Sequence, residues 1–172
     1  MRSHISLQGA DIIVFPEYGL FPECFRPQST LFCERIPANP VEKAIPCVEA
    51  KRFSGSPTLR TLSCIARNNS MVVQANMAEY LPCKGERGCP SGHLQFNTNV
   101  VFDRNGALIN RYRKEHLWNE GNFDKPRKKQ NPKFTVDFGT FLSYVCYDVF
   151  LERIIEEIKE DVDGIFFSTY WE

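Results

Sequence analysis

An α/β fold containing a parallel strand–helix–strand crossover is what the 172-residue sequence predicts. Three observations carry it. A short, β-branched apolar run is stopped by Pro16, and a second strand-like run ends at Cys146. The clearest amphipathic helix of the chain follows the second run, and another apolar run beginning at Ile165 follows that helix. Strand, helix, strand in that order places functional residues at the carboxyl ends of the strands.

Taken in order, Asp11 to Phe15 reads as a buried strand stopped by Pro16, which cannot continue a central ladder, and Glu17 lies just past its end. From Glu23 to Gly55 the chain holds four prolines and three cysteines with little periodicity, the pattern of a long surface excursion. Ser56 and Pro57 then open a helix as N-cap and first helical residue. Leu59, Leu62 and Ile65 form its apolar face, and it stops near Asn68 and Asn69. Met71 to Ala75 is the next strand. After a cysteine-flanked loop, Phe96 to Phe102 and Ala107 to Arg113 form a hairpin through Asp103-Arg104-Asn105-Gly106, with Lys114 at the end of its second arm. The stretch from Glu115 to Lys133 is polar, with a solvated basic cluster at 125–129. Two strand-like runs, Thr135 to Phe138 and Phe141 to Cys146, flank Gly139 and Thr140. Leu151, Ile154, Ile155 and Ile158 mark a helix over Phe150 to Asp161, and Ile165 to Trp171 is the closing strand.

The composition narrows the function. With 21 basic and 21 acidic residues the formal charge is zero, so no general attraction to nucleic acid or to an acidic membrane is expected and a small neutral partner fits better. The apolar runs are strand-sized, too short for a transmembrane segment. Met1 to Ala10 lacks the apolar core of a signal peptide. Seven cysteines suggest an oxidising compartment. Cys83 and Cys89 flank a polar loop that a local disulfide would close. Cys47 with Cys64, and Cys24 with Cys33, are further pairings suggested by proximity alone, and the connectivity stays open. An odd count leaves one thiol over. Asn68-Asn69-Ser70 is a glycosylation sequon compatible with such a compartment.

Three strand-end residues carry a chemistry. A thiol attacks a carbonyl as thiolate, so it needs a proton acceptor in reach and positive charge nearby. Glu17 supplies the acceptor and Lys114 the charge, with Cys146 as nucleophile. The carboxylate takes the thiol proton and later passes it to the leaving amine, while the ammonium lowers the thiol pKa and stabilises the oxyanion.

The strings around these residues, Ile13-Val14-Phe15-Pro16-Glu17, Arg111-Tyr112-Arg113-Lys114 and Val145-Cys146-Tyr147-Asp148, resemble in order and spacing the Glu, Lys and Cys motifs of the nitrilase superfamily of carbon-nitrogen hydrolases. Arg60-Thr61-Leu62-Ser63-Cys64, Pro82-Cys83 to Cys89-Pro90, and Gln95 to Phe102 are similar to the branch of biotinidase and the vanin pantetheinases, and the similarity runs from about Gly9 to Trp171. The resemblance implies a four-layer α-β-β-α sandwich, a covalent thioester intermediate, no cofactor and no metal, and secretion or anchoring at the cell surface. It implies that residues 1–172 form a single partial domain, lacking a first strand and helix and the later half of the sandwich. It also implies that the Tyr147 amide completes the oxyanion hole and that Glu120 is a second carboxylate positioning the lysine and substrate. Thr169, Tyr170 and Trp171 fall where the family lines its acyl pocket, although Ser168 replaces a usual proline and Tyr170 a usual small residue. The expected substrate is a small vitamin amide such as biocytin or pantetheine.

Each residue has a plainer explanation. Glu17 alone is a solvated carboxylate after a strand, Lys114 one charge in a basic run, and Cys146 a structural thiol; their joint order and context favour the chemistry. Cys83, Cys89 and His93 lack zinc-site spacing and a fourth ligand. No protease signature surrounds Cys146, and Asp137-Phe138-Gly139 stands without the other kinase motifs. The alternative function is a non-catalytic secreted or interaction protein, a truncated sandwich that keeps the motifs without a closed pocket.

Overall fold

The computed structural model describes residues 9–22, 28–38, 42–83, 85, 87, 89, 91–151, 153–159 and 161–171. Two sheets organise them. The first has the order β1-β2-β3-β4, with β1 (Ile12–Val14) parallel to β2 (Val72–Pro82) and an antiparallel meander through β3 (His93–Phe102) and β4 (Leu108–Arg113). The second has the order β5-β6-β7, with β5 (Lys133–Val136) antiparallel and β7 (Gly164–Ser168) parallel to β6 (Gly139–Val145). Helix α1 (Pro57–Asn69) makes the β1-to-β2 crossover and α2 (Arg153–Ile158) the expected β6-to-β7 crossover.

Alternation along the strands stacks these elements into four layers. One face of the first sheet, Val73, Ala75, Met77, Val100 and Phe102, packs on Leu59, Leu62 and Ala66 of α1. Its opposite face meets the second sheet through Val72, Val101, Phe134 and Phe141. The far face of that second sheet, with Leu142 and Tyr144, packs on Ile154 of α2. The α-β-β-α expectation is therefore met.

Several boundaries differ from the sequence expectation, each for a visible reason. Strand β2 does not stop at Ala75 but pairs with β3 out to Pro82 opposite His93. Its polar residues are buried with partners: Glu79 accepts from Arg113 Nη2 at 2.6 Å, Arg111 Nη1 at 3.1 Å and the Thr98 hydroxyl at 3.0 Å. Helix α2 is half its expected length, because the chain leaving β6 first makes a 3₁₀ turn over Cys146–Phe150, and Ile155 is 65 % exposed. Strand β7 ends at Ser168, opposite Val145, the last residue of β6; beyond it Thr169, Tyr170 and Trp171 have no strand to pair with.

Helix α1 starts at Pro57 as expected, yet Ser56 does not cap it. The Ser56 hydroxyl donates to the Arg35 carbonyl, and the Glu34 carboxylate instead accepts the N–H groups of Thr58 (2.7 Å) and Leu59 (3.0 Å). Glu34 reaches them because its backbone bridges to β2 at Glu79. A buried negative charge at a helix N-terminus is favourable. The β3–β4 hairpin turns where expected. A side chain at Gly106, with φ of +79°, would meet the Ser63 carbonyl oxygen at 2.5 Å. Cys83 is disulfide-bonded to Cys89, and Cys47 to Cys64, the latter tying the excursion to α1. The Cys24 pairing lies outside the described residues.

Candidate functional site

Three separate strand ends deliver the three expected residues to one place. Glu17 follows β1 by a short Pro16 turn, Lys114 follows β4 directly, and Cys146 follows β6 directly. All three are buried, with side chains of Glu17 and Lys114 only 2 % and 1 % exposed. Lys114 Nζ donates to Glu17 Oε1 at 2.8 Å and also to Glu120 Oε1. Glu120, from the loop after Lys114, thus lies in the same group. The ammonium is held above its ordinary pKa: burial opposes the charge, but Glu17 and Glu120 together outweigh it.

Cys146 is a free thiol on a strained backbone, φ +42°, unusual for a residue with a Cβ. Tyr18, directly after Glu17, is also left-handed at φ +57°. Burial, then the charge of Glu17, push the Cys146 thiol up to about 11, although Lys114 pulls the other way. The lysine therefore acts in the expected direction but is outweighed. The resting site holds a neutral thiol against a carboxylate, an arrangement suited to a general base that removes the proton during attack.

These groups form the wall of a cavity of about 290 Å³ with Tyr18, Trp118, Asn119, Tyr147, Tyr170 and Trp171. Tyr147 leans against Trp118 with ring centroids 4.8 Å apart and planes tilted by 37°, and Tyr18 meets Tyr170 edge-on at 5.8 Å. The Tyr170 carbonyl accepts from the Cys146 thiol at 3.6 Å. Thr169 is half-buried at the end of β7 and does not line the cavity, so of the three expected pocket residues two are brought to it. Asn68 lies exposed on the last turn of α1. The residues once weighed as zinc ligands are otherwise engaged: Cys83 and Cys89 bond each other and His93 stacks on Tyr80.

Sequence reasoning gave no role to a line of buried amides beneath the site. Asn97 Nδ2 donates to Glu17 Oε1 (2.8 Å) and to Glu120 Oε2 (2.9 Å). Asn76 Nδ2 donates to Asn97 Oδ1 (2.6 Å) and Asn99 Oδ1 (3.2 Å), and Asn99 Nδ2 reaches Ser143 Oγ and the Tyr144 carbonyl on β6. The period-two spacing of Gln95, Asn97 and Asn99 on one strand was the available signal, but it reads as a solvated face unless a second sheet is known to cover it.

The chain has relatives among known proteins. Over 169 residues the chain is 38 % identical to the human (Homo sapiens) pantetheine hydrolase VNN2, covering 95 % of this chain and 32 % of that protein. It is 37 % identical over 170 residues to biotinidase of Bos taurus, with the same coverage of 95 % and 32 %. The chain thus spans about a third of the length of these relatives. Among solved structures, Saccharomyces cerevisiae Nit3, a member of branch 10 of the nitrilase superfamily, superposes with a TM-score of 0.70 at 20 % identity, over 94 % of this chain and 52 % of that one. An N-terminal amidase bound to a Gln-Val peptide does so with a TM-score of 0.65 at 13 % identity, over 94 % and 39 %. The profile for carbon-nitrogen hydrolases matches residues 2–159, which takes in all three strand-end residues, and with that match the chain belongs to the carbon-nitrogen hydrolase family.

Proposed function

We propose that the protein to which this chain belongs is an amidase that hydrolyses the amide bond of a small vitamin conjugate, with Cys146 as nucleophile, Glu17 as general base and Lys114 as oxyanion stabiliser. The observation that carries this reading is the convergence of Glu17, Lys114, Glu120 and Cys146 on one cavity of about 290 Å³. In the proposed sequence Glu17 takes the thiol proton as Cys146 Sγ bonds to the carbonyl carbon. An ammonium has three N–H donors; two of those of Lys114 are held by Glu17 and Glu120, and the third is left for the oxyanion, which the Tyr147 amide also approaches. Collapse expels the amine with the proton held by Glu17 and leaves a thioester. Glu17 then deprotonates a water that attacks it, releasing the acid and restoring the thiol.

The names of the relatives, pantetheine hydrolase and biotinidase, support pantetheine or biocytin as substrate. The aromatic wall of Trp118, Tyr147, Tyr170 and Trp171 suits an amide with an uncharged acyl portion. Secretion or residence at the cell surface belongs to the same proposal, supported by the two disulfides and by the exposure of the Asn68 sequon. The test is to incubate the full-length protein with each amide, measure pantothenate and biotin release, and search acid-quenched samples for an acyl group on Cys146. Turnover of one substrate with an adduct that Cys146→Ala abolishes is the expected result. No turnover of either, with no acyl group found on Cys146, would establish the non-catalytic alternative.

A further inference from the structure

We propose that Asn97 is a positioning residue of this site: its single amide nitrogen holds the two carboxylates, Glu17 and Glu120, in register and turns one oxygen of Glu17 toward the thiol. The proposal rests on the amidase reading for its substrate.

The argument begins with charge. Glu17 and Lys114 are buried and the Glu120 side chain is only 6 % exposed, so two carboxylates share one ammonium in a place water screens little. Unaided, such a pair relieves its repulsion by moving apart or by taking up a proton. Asn97 opposes both. Its amide has two hydrogens, and one is directed to each carboxylate, at 2.8 Å to Glu17 Oε1 and 2.9 Å to Glu120 Oε2. It brings donors without adding a charge, as a second lysine would.

The orientation of the amide is fixed by its surroundings. Reversing it would set the Asn97 oxygen against two carboxylates and its nitrogen against the Asn76 nitrogen, which now donates to Asn97 Oδ1 at 2.6 Å. Asn76 is anchored in turn, since its Oδ1 accepts the Tyr18 N–H at 3.3 Å and its Nδ2 also reaches Asn99. Asn99 donates to Ser143 Oγ and to the Tyr144 carbonyl, two residues before Cys146. A continuous line of amides therefore ties the base to the strand that carries the nucleophile.

The position of the carboxylate follows. Lys114 and Asn97 both donate to Oε1 of Glu17, so Oε2 is the oxygen left to face the thiol. The titratable groups around Glu17 are Lys114 after β4, Glu120 in the loop that follows and Cys146 after β6, with the phenols of Tyr18, Tyr147 and Tyr170 further round the cavity. The competent state is the Glu17–Cys146 pair holding one proton. Without the Asn97 donors that state gives way to the doubly protonated one at a higher pH.

The experiment uses the full-length protein with Asn97→Ala and with the isosteric Asn97→Asp, each alone and combined with Glu120→Gln. Thermal unfolding identifies the folded variants, and Asn97→Asp retains the acceptor for Asn76 should Asn97→Ala fail to fold. Two rates are followed across pH: turnover of pantetheine or biocytin, and alkylation of Cys146 by iodoacetamide, which needs no turnover. The expected result is a fall in kcat of roughly a hundredfold with KM within about twofold. In Asn97→Ala the acidic limb of turnover and the alkylation rise of Cys146, whose thiol the Glu17 charge raises, both move up by about one pH unit; the displacement is smaller in the Glu120→Gln background, where the second carboxylate is gone, and larger in Asn97→Asp, which adds a carboxylate. Unmoved limbs in the folded variants, an equal displacement without Glu120, or a loss expressed in KM alone would overturn the assignment. If the wild type turns over neither amide, the amidase reading fails, while the alkylation profiles still decide the role of Asn97.

Discussion

At Cys146 burial and the charge of Glu17 act together on a residue held in a strained backbone. The thiol is 6 % exposed, sits at φ +42° and is pushed up to about 11 by burial and the Glu17 charge. A neutral thiol is a poor partner for disulfide exchange, which keeps Cys146 reduced beside the Cys47–Cys64 and Cys83–Cys89 disulfides. Alkylation of Cys146 by iodoacetamide is therefore expected to keep accelerating with pH well past the range of ordinary thiols, toward about 11; a plateau near the usual cysteine value would show an exposed or separately activated thiol. Because Lys114 lowers the thiol, Lys114→Ala moves that rise further up, and stopped-flow labelling at fixed pH slows. On the proposed mechanism the same variant loses an oxyanion donor, which costs about 100- to 1000-fold in kcat, and it leaves the Glu17 and Glu120 side chains without their shared counter-charge. Normal turnover in Lys114→Ala would remove the lysine from the site.

At the scale of elements the question is how two strand ends from different sheets stay aligned. Asp148, fully buried in the 3₁₀ turn after Cys146, accepts the N–H groups of Glu115 (3.1 Å), His116 (2.8 Å) and Val145 (3.2 Å). One carboxylate thereby ties the turn after Lys114 to the residue before Cys146. Burial raises Asp148 from 3.8 to about 6, its hydrogen bonds offsetting only part of the cost. The folded protein thus binds the Asp148 proton more tightly than the unfolded chain. Its contribution to stability is fully present below the unfolded value and is lost as pH rises through the folded one. Relative to Asp148→Asn, the wild type should lose on the order of 1.4 kcal/mol of unfolding free energy per pH unit between about pH 4 and 6, measured by urea unfolding. A constant difference across that window would mean Asp148 titrates normally. The sequence announced the strand ends but not this clasp. Strand-like runs end at or just before Glu17, Lys114 and Cys146, whereas Asp148 and Asn97 take their meaning from elements distant in the chain. The same ignorance of partners cut β2 short at Ala75, since Asn76 and Glu79 look like exposed residues until Asn97, Arg111 and Arg113 are placed beside them. It also lengthened α2, whose Ile155 and Ile158 follow a helical period yet stand half or more exposed.

The whole molecule divides into a part that holds the fold and a part that holds the chemistry. Between the sheets the seam is polar along Asn76, Asn97 and Asn99, which runs to the site, and apolar where Val72, Val101, Phe134 and Phe141 interlock. Leu59 and Leu62 of α1 fill the other side of the first sheet, each burial contributing about 2 kcal/mol. Both disulfides belong to the holding part, because neither Cys47–Cys64 nor Cys83–Cys89 contributes a residue to the cavity wall. Cys47–Cys64 spans a sequence separation of 17, so its loss should cost about 3 kcal/mol by loop-closure entropy, and the shorter Cys83–Cys89 loop, with a separation of 6, about 2 kcal/mol. Cys47→Ser with Cys64→Ser should lower the unfolding free energy by the larger amount, while iodoacetamide labels Cys146 in the native baseline at an unchanged rate. The Cys83→Ser and Cys89→Ser pair should do the same with the smaller loss. If Cys146 labelling changes in either variant while the protein is still folded, the clamps shape the site as well as the fold, because Ser63, which accepts from the Cys47 N–H and donates to the Gly106 carbonyl, connects the first disulfide to the hairpin that ends at Lys114.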